Sequence, residues 1–179
     1  MEGVRLLADV GGAEVKIDRL TKRLGVTKGS FYHHFQNYEA YKVSLLDFIE
    51  SHGTLQIIER TEAQATPAGK LAELLSITIT DNPNMEIAFR AWALQDETVR
   101  EYLERIDGRR IAYIQQLSLE LTGDKAQAAL MGQMFYAIYV GGHHILPPIT
   151  GDDLMRLYEE CKRLYGLDKK IINSELLNL

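Results

Sequence analysis

Between Lys28 and His34 the chain places Lys28, Ser30, Tyr32, His33 and His34 within seven residues. Together they offer an ammonium, two hydroxyls and two imidazoles, groups that bond phosphate oxygens and the edges of bases. Lysine, serine and histidine each accept several base partners, so the types indicate a nucleic-acid surface without fixing a base sequence. Thr27 precedes the run, Gly29 lies inside it, and Tyr38 comes four residues after His34. The competing interpretation is an ordinary solvated helix face.

Other chemistries find weaker support. His143 and His144 are adjacent, and neighbours on a helix point about 100° apart, too far to chelate one ion together. Structural zinc needs four ligands, and no further Cys/His cluster lies near them in sequence. Cys161, the single cysteine, comes directly after Glu159 and Glu160, whose charge raises a thiol pKa rather than lowering it. Asp152 and Asp153 suit a helix start. With no Gly-rich phosphate loop and no nucleophile elbow, we expect no catalytic residues, no metal, no cofactor and no enzymatic activity.

The basic and aromatic run needs a scaffold, and the flanking residues supply one. Ile17, Leu20 and Leu24 share one face of a helix, Gly25 ends it, and Val26 is expected to plug the turn. Thr27 can cap a second helix, Lys28 to Phe35, with Phe31 and Phe35 inward. Two short helices joined tightly, the second presenting a polar, aromatic face, suit insertion into a major groove.

The stretch from Gly25 to Glu39 resembles the helix-turn-helix of the TetR family of transcriptional regulators. Gly25, Val26, Thr27, Gly29, Ser30, Phe31, Tyr32, His34, Phe35 and Glu39 match that family's pattern or substitute conservatively. The resemblance implies DNA contacts from Thr27, Lys28, Gly29, Ser30, Tyr32, His33, His34 and Tyr38. Three positions depart from it. Leu20-Thr21 replaces an Ile-Ala pair, Leu24 replaces alanine, and Tyr38 replaces a lysine that touches phosphate. In such proteins the first helix is longer and is preceded by a basic arm; here about half of it precedes Gly11-Gly12.

The rest of the chain reads as helices. One runs from Glu39 to about Glu62 with Tyr41, Leu45, Phe48, Ile49 and Leu55 inward. Others start after Thr66-Pro67, begin near Met85 and Asp96, and span 126–146 and the segment after Thr150, which should cap it. Phe89, Trp92, Tyr113, Gln116, Met134, Tyr136 and Tyr139 form an aromatic and polar set. Each fits a core as well as a cavity, and the resemblance favours an effector pocket for a small apolar or aromatic molecule. The helix over 126–146 is apolar nearly all round and must be covered on several sides. A homodimer interface is therefore expected through Ala129, Gly132, Gly141, His143, Leu154, Leu157, Tyr158 and Cys161.

Composition supports this outline. The 179 residues are 46% hydrophobic with net charge −5, and no stretch of about 18 apolar residues could span a bilayer. Lone-cysteine usage and the absence of a signal pattern lead us to expect a cytoplasmic protein. Residues 16–42 hold six cations and two anions, net +4, a basic end on an acidic body. The expected fold is all-α: a helix-turn-helix DNA-binding domain over 1–44 and a helical effector-binding and dimerisation domain over 45–179. The expected function is a ligand-released repressor on a double-stranded palindromic operator. The alternative is a helical dimeric interaction or small-molecule-binding protein with impaired DNA binding.

Overall fold

The computed structural model describes residues 2–167, and among them every regular element is helical. In order these are α1 (Glu2–Val10), a 3₁₀ turn (Gly12–Glu14), α2 (Ile17–Leu24), α3 (Lys28–His34) and α4 (Tyr38–Glu50). A π-helical stretch (Ser51–Leu55) leads into α5 (Gln56–Glu62), then α6 (Pro67–Thr78) and α7 (Pro83–Ala93). The last three are α8 (Glu97–Thr122), α9 (Lys125–His144) and α10 (Gly151–Leu164). Residues beyond 167 lie outside this description.

The chain packs as two compact units. Among the described residues the first comprises 2–55 and 82–106, and the second 56–81 and 107–167.

In the first unit Leu6, Leu7, Leu20, Phe31, Tyr41, Leu45, Phe89, Trp92, Val99 and Ile106 share one core. Gly11, at φ 82°, turns the chain out of α1, where any other residue would strain. Gly12 answers a different need. A Cβ there would lie 2.1 Å from Cγ of Trp92, so only glycine lets the backbone lie on the indole. Polar links tie α4 to the first part of α8. Lys42 bonds Asp96 at 2.7 Å, Tyr102 donates to Asp47 at 2.5 Å, and Arg105 holds Glu50 through bonds of 3.0 and 2.5 Å.

The long helix expected from Glu39 to Glu62 is interrupted in kind. The π-helical residues insert extra backbone and shift the facing of their own side chains, so Leu55, expected inward, is 42% exposed and Thr54 is buried instead.

In the second unit Leu71, Leu75, Tyr113, Leu117, Met131, Phe135, Leu154, Tyr158 and Cys161 form the core. Gly132 lets α9 approach α8: a Cβ there would meet Cγ of Gln115 at 2.3 Å and the Ile111 carbonyl at 3.1 Å. Side-chain caps open most of the helices, including Thr66 on α6 and Asp124 on α9, whose carboxylate accepts from two backbone N–H groups. Thr150 does not fulfil its expected role. It occupies the cap position of α10, but its side chain makes no capping bond, and the amide of Gly151 bonds the Ile79 carbonyl instead.

Candidate nucleic-acid interface

The geometry begins with the turn. Gly25 adopts φ 66° and its N–H bonds back to α2, while the Val26 N–H reaches the Thr21 carbonyl at 3.0 Å. Two inward expectations fail here: Leu24 is 55% and Val26 41% exposed. Leu24 sits in the last turn of α2, past the edge of the core. Its inward place is taken by Thr21, which is buried with its hydroxyl donating to the Ile17 carbonyl at 2.9 Å. A threonine so satisfied is buried without the cost of an unpaired hydroxyl.

α3 is set by one cap and one aromatic cluster. The Thr27 hydroxyl accepts the Ser30 N–H at 3.1 Å. Phe31, buried, packs its ring 5.3 Å from Phe35 and 5.4 Å from Tyr41. Phe35 closes the helix as its C-cap. With that side fixed, Lys28, Gly29, Tyr32, His33 and His34 lie exposed and Ser30 half-buried. Seven of the eight sequence-predicted contact residues therefore belong to α3 and its cap, whose buried side chain is Phe31. Thr27 is engaged as a cap, and Tyr38, the first residue of α4, is half-buried. Burial pushes the Tyr38 phenol up, only partly countered by Lys42, so it stays neutral. Asn37 caps α4 by accepting the Ala40 N–H at 2.8 Å.

A cleft of about 310 Å³ opens beside α3, lined by Lys16, Ile17, Asp18, Lys28, Tyr32 and Tyr38. Two ammoniums and two phenols facing one recess suit a phosphate-bearing backbone. Lys16 and Asp18 were absent from the sequence-based contact set. The signal for them was their place just before and inside the first turn of α2, which becomes a wall of the cleft only once α2 and α3 are folded together.

The linear charge count changes most on folding. Arg23 meets Glu2 at 2.6 Å and Asp9 at 2.8 Å, and Arg19 meets Glu14 at 2.7 Å. Lys16 reaches Glu14 at 3.4 Å, Lys28 meets Asp18 at 2.5 Å, and Lys42 meets Glu39 at 2.6 Å besides Asp96. Lys22 has no ion pair among the described residues. Glu2, Asp9, Glu14 and Asp96 lie outside the window counted from the sequence yet adjacent in the fold, so the expected basic end is largely compensated. The bond that the Lys28 ammonium donates to Asp18 raises it above its ordinary value. Lys42 is also raised: burial works against its charge, but Asp96 and Glu39 outweigh it.

The other predicted residues divide between the units. Phe89 and Trp92 are core residues of the first. In the second, three tyrosine hydroxyls each donate to a carboxylate: Tyr113 to Glu62 at 2.7 Å, Tyr136 to Asp107 at 2.6 Å and Tyr139 to Asp81 at 2.5 Å. The rings of Tyr136 and Tyr139 stack 5.9 Å apart. Met134 accepts from the Tyr165 hydroxyl at 2.6 Å, and Gln116, exposed, bonds Glu120. Of the expected interface residues, Ala129 and Leu157 are exposed and open space surrounds Gly141. Gly132, His143, Leu154, Tyr158 and Cys161 are buried within the chain itself. Burial raises the Cys161 thiol, which keeps it protonated and unreactive.

Among the described residues no helix is long and apolar enough to cross a membrane. The sequence model of the bacterial regulatory proteins of the tetR family matches residues 2–40. A crystal structure described as a candidate transcriptional regulator, a TetR/AcrR family member, superposes with a TM-score of 0.69 at 20% identity. The match covers 97% of this chain and 92% of that one, so the two share a fold along nearly their whole lengths. No curated protein shows a significant match to the sequence.

Proposed function

We propose that this chain, whose residues 2–40 match the sequence model of the tetR family of bacterial regulatory proteins, is a repressor that binds a palindromic operator as a homodimer and releases it on binding a small apolar or aromatic molecule. The supporting observation is α3. Thr27 caps it, Phe31 anchors it, and Lys28, Tyr32, His33 and His34 are left exposed together. In the bound state these four and Ser30 contact base edges and phosphates, while Thr27, Gly29 and Tyr38 fix the approach of the backbone. Two-fold symmetry sets a pair of such helices one duplex turn apart, roughly 34–36 Å, and matches a palindrome.

The surface suited to the second copy lies on α9 and α10, where Leu130 is 49%, Leu157 42% and Leu164 67% exposed, with Ala129 and Gly141 on the same helix as Leu130. Apolar side chains on two neighbouring helices of the same unit are what a subunit interface covers. The tyrosines of the second unit, with Met134 and Gln116, supply ring faces and hydroxyls for the effector. A ligand with higher affinity for the DNA-free arrangement shifts the population away from the bound one.

The test is fluorescence anisotropy of the protein on duplexes tiled across the region upstream of its own coding sequence, at two salt concentrations. Binding in the nanomolar range confined to one palindromic tile, lost about tenfold or more in Lys28→Ala with Tyr32→Ala, is the expected result. Weak, equal binding to every tile that vanishes with salt would leave only phosphate attraction and sink the repressor. Sedimentation of Leu157→Glu, expected to yield monomer where the parent is a dimer, checks the interface separately.

A further inference from the structure

The Lys28–Asp18 pair lies in the cleft itself. Its partners are both well exposed, with 62% and 71% of their side chains accessible, and the ammonium sits 2.5 Å from the carboxylate. An exposed pair of this kind contributes little to folding. What it changes is the partner available to the ammonium when an anion approaches. Asp18 faces the same recess as Lys16, Tyr32 and Tyr38, so it also places a negative charge where a phosphate would enter. Two arginines of the head repeat the pattern, Arg19 on Glu14 and Arg23 on Glu2 and Asp9.

We infer that Asp18 is a specificity-determining residue: it holds Lys28 as an electrostatic latch that random DNA leaves closed and only a fully seated recognition helix opens. This rests on the DNA-binding role proposed for α3. On arbitrary sequence nearly all affinity comes from phosphate neutralisation, and a lysine already neutralised adds little to it. On the operator, base contacts by α3 bring Lys28 against the duplex closely enough to exchange carboxylate for phosphate. Asp18 therefore lowers affinity for random DNA more than affinity for the operator, and the difference widens discrimination.

The experiment compares the parent, Asp18→Asn, Asp18→Glu, Lys28→Ala and the Asp18→Asn/Lys28→Ala double variant. Each is titrated by anisotropy on the best-bound upstream tile and on a scrambled duplex, across a salt series. Asp18→Asn should steepen the log–log salt slope on scrambled DNA by about one unit, and raise its affinity roughly fivefold at about 0.15 M salt, the worth of one added phosphate contact. The slope on the specific tile should stay unchanged. Asp18→Glu should restore the parent's discrimination, and Asp18→Asn should lose most of its effect in the Lys28→Ala background. A merely structural role for Asp18 would move none of these slopes. Equal slopes for parent and Asp18→Asn on scrambled DNA, or an undiminished effect without Lys28, would overturn the latch. A parent that prefers no tile would instead overturn the DNA-binding role. Ammonium NMR of Lys28 in the free protein, parent against Asp18→Asn, tests the pair without DNA: an unchanged signal also rejects the latch.

Discussion

Helices α3 and α9 are held in different ways. α3 has seven residues and one buried side chain, Phe31. α9 has twenty residues and buries eight of them, two glycines and six with side chains, among these Met131, Phe135, Tyr136 and Tyr139. An isolated seven-residue helix is far too short to persist in water, so α3 exists because a cap and three aromatic rings hold it. α9 exists because neighbours cover it on several sides. The first arrangement leaves a polar surface available for function; the second commits most of the surface to packing. A site on α3 can therefore change nearly all its residues at small structural cost, whereas a change at any of the buried positions of α9 is felt by the core.

The contrast is tested most severely at its anchors. Phe31→Ala should cost about 3–5 kcal/mol, the usual range for a buried phenylalanine, and should abolish DNA binding with it. Chemical denaturation monitored by circular dichroism reads the first effect. If α3 survived this change with its stability intact, the aromatic cluster would not be what holds it. The body's counterpart is Gly132→Val. A helical glycine normally gains from substitution by alanine or larger residues, yet here new atoms meet the Ile111 carbonyl and the Gln115 backbone N–H, 3.1 and 3.2 Å from a Cβ. A net loss of about 1–3 kcal/mol is expected, as for overpacking elsewhere. A stabilised variant would mean that α8 and α9 can move apart freely.

The same contrast explains which features were legible in the sequence. Signals in the head are local: Gly25 for a left-handed end, Thr27 for a cap, Phe31 and Phe35 for an inward edge, and all of them lie within eleven residues. Helix positions in the body were legible too, because Leu71 and Leu75, and Tyr113 and Leu117, recur at helical spacing within their own segments. The features that escaped depend on tertiary neighbours. The displacement of Leu55 by Thr54 needs the π-helical stretch, which no residue type announces. Thr21 instead of Leu24 as an inward residue depends on where α2 ends relative to the core. The compensation of the head's cations comes from Glu2, Asp9, Glu14 and Asp96, carboxylates that only folding brings near. Dimer-facing and self-facing apolar residues look alike in a helix such as α9, and His143 and Leu154 turn inward within the chain itself.

Caps provide a gentler comparison. Thr27→Ala and Asp124→Ala each remove a side-chain acceptor at a helix start, worth about 1 kcal/mol. Asp124 bonds two N–H groups and Thr27 one, so by stability alone the body should lose at least as much. DNA affinity should order them the other way. Thr27→Ala frays the contact helix, while Asp124→Ala lies in the second unit and should leave operator binding unchanged. Equal effects on affinity would erase the distinction between a helix that needs its cap and one that packing secures.

The smallest expected effect concerns pH, and it separates the two units by their carboxylates. Burial alone would raise the Asp96 carboxyl, but Lys42 and the N–H groups of Val99 and Thr98 outweigh it, leaving the group below its ordinary value of 3.8. A carboxyl depressed by folding contributes stability above its unfolded pKa and loses it as pH falls through the folded one. The Asp96 contribution is thus complete at neutral pH, begins to fade near the unfolded value of about 4, and is lost as pH falls through the lower folded one. Asn still caps a helix well, so Asp96→Asn isolates the charge. The unfolding free energies of parent and variant should differ at neutral pH by an amount on the order of 1 kcal/mol, and converge once the pH has fallen through the depressed pKa of folded Asp96. Glu62 in the body is also depressed, by Lys70 first and then Tyr113, but it is exposed, so salt should erase its share. At high salt the acid-side loss should therefore persist for Asp96, whose partner Lys42 is 6% exposed, and fade for Glu62→Gln. If salt abolished both alike, the Lys42–Asp96 link would be no more sheltered than a surface pair.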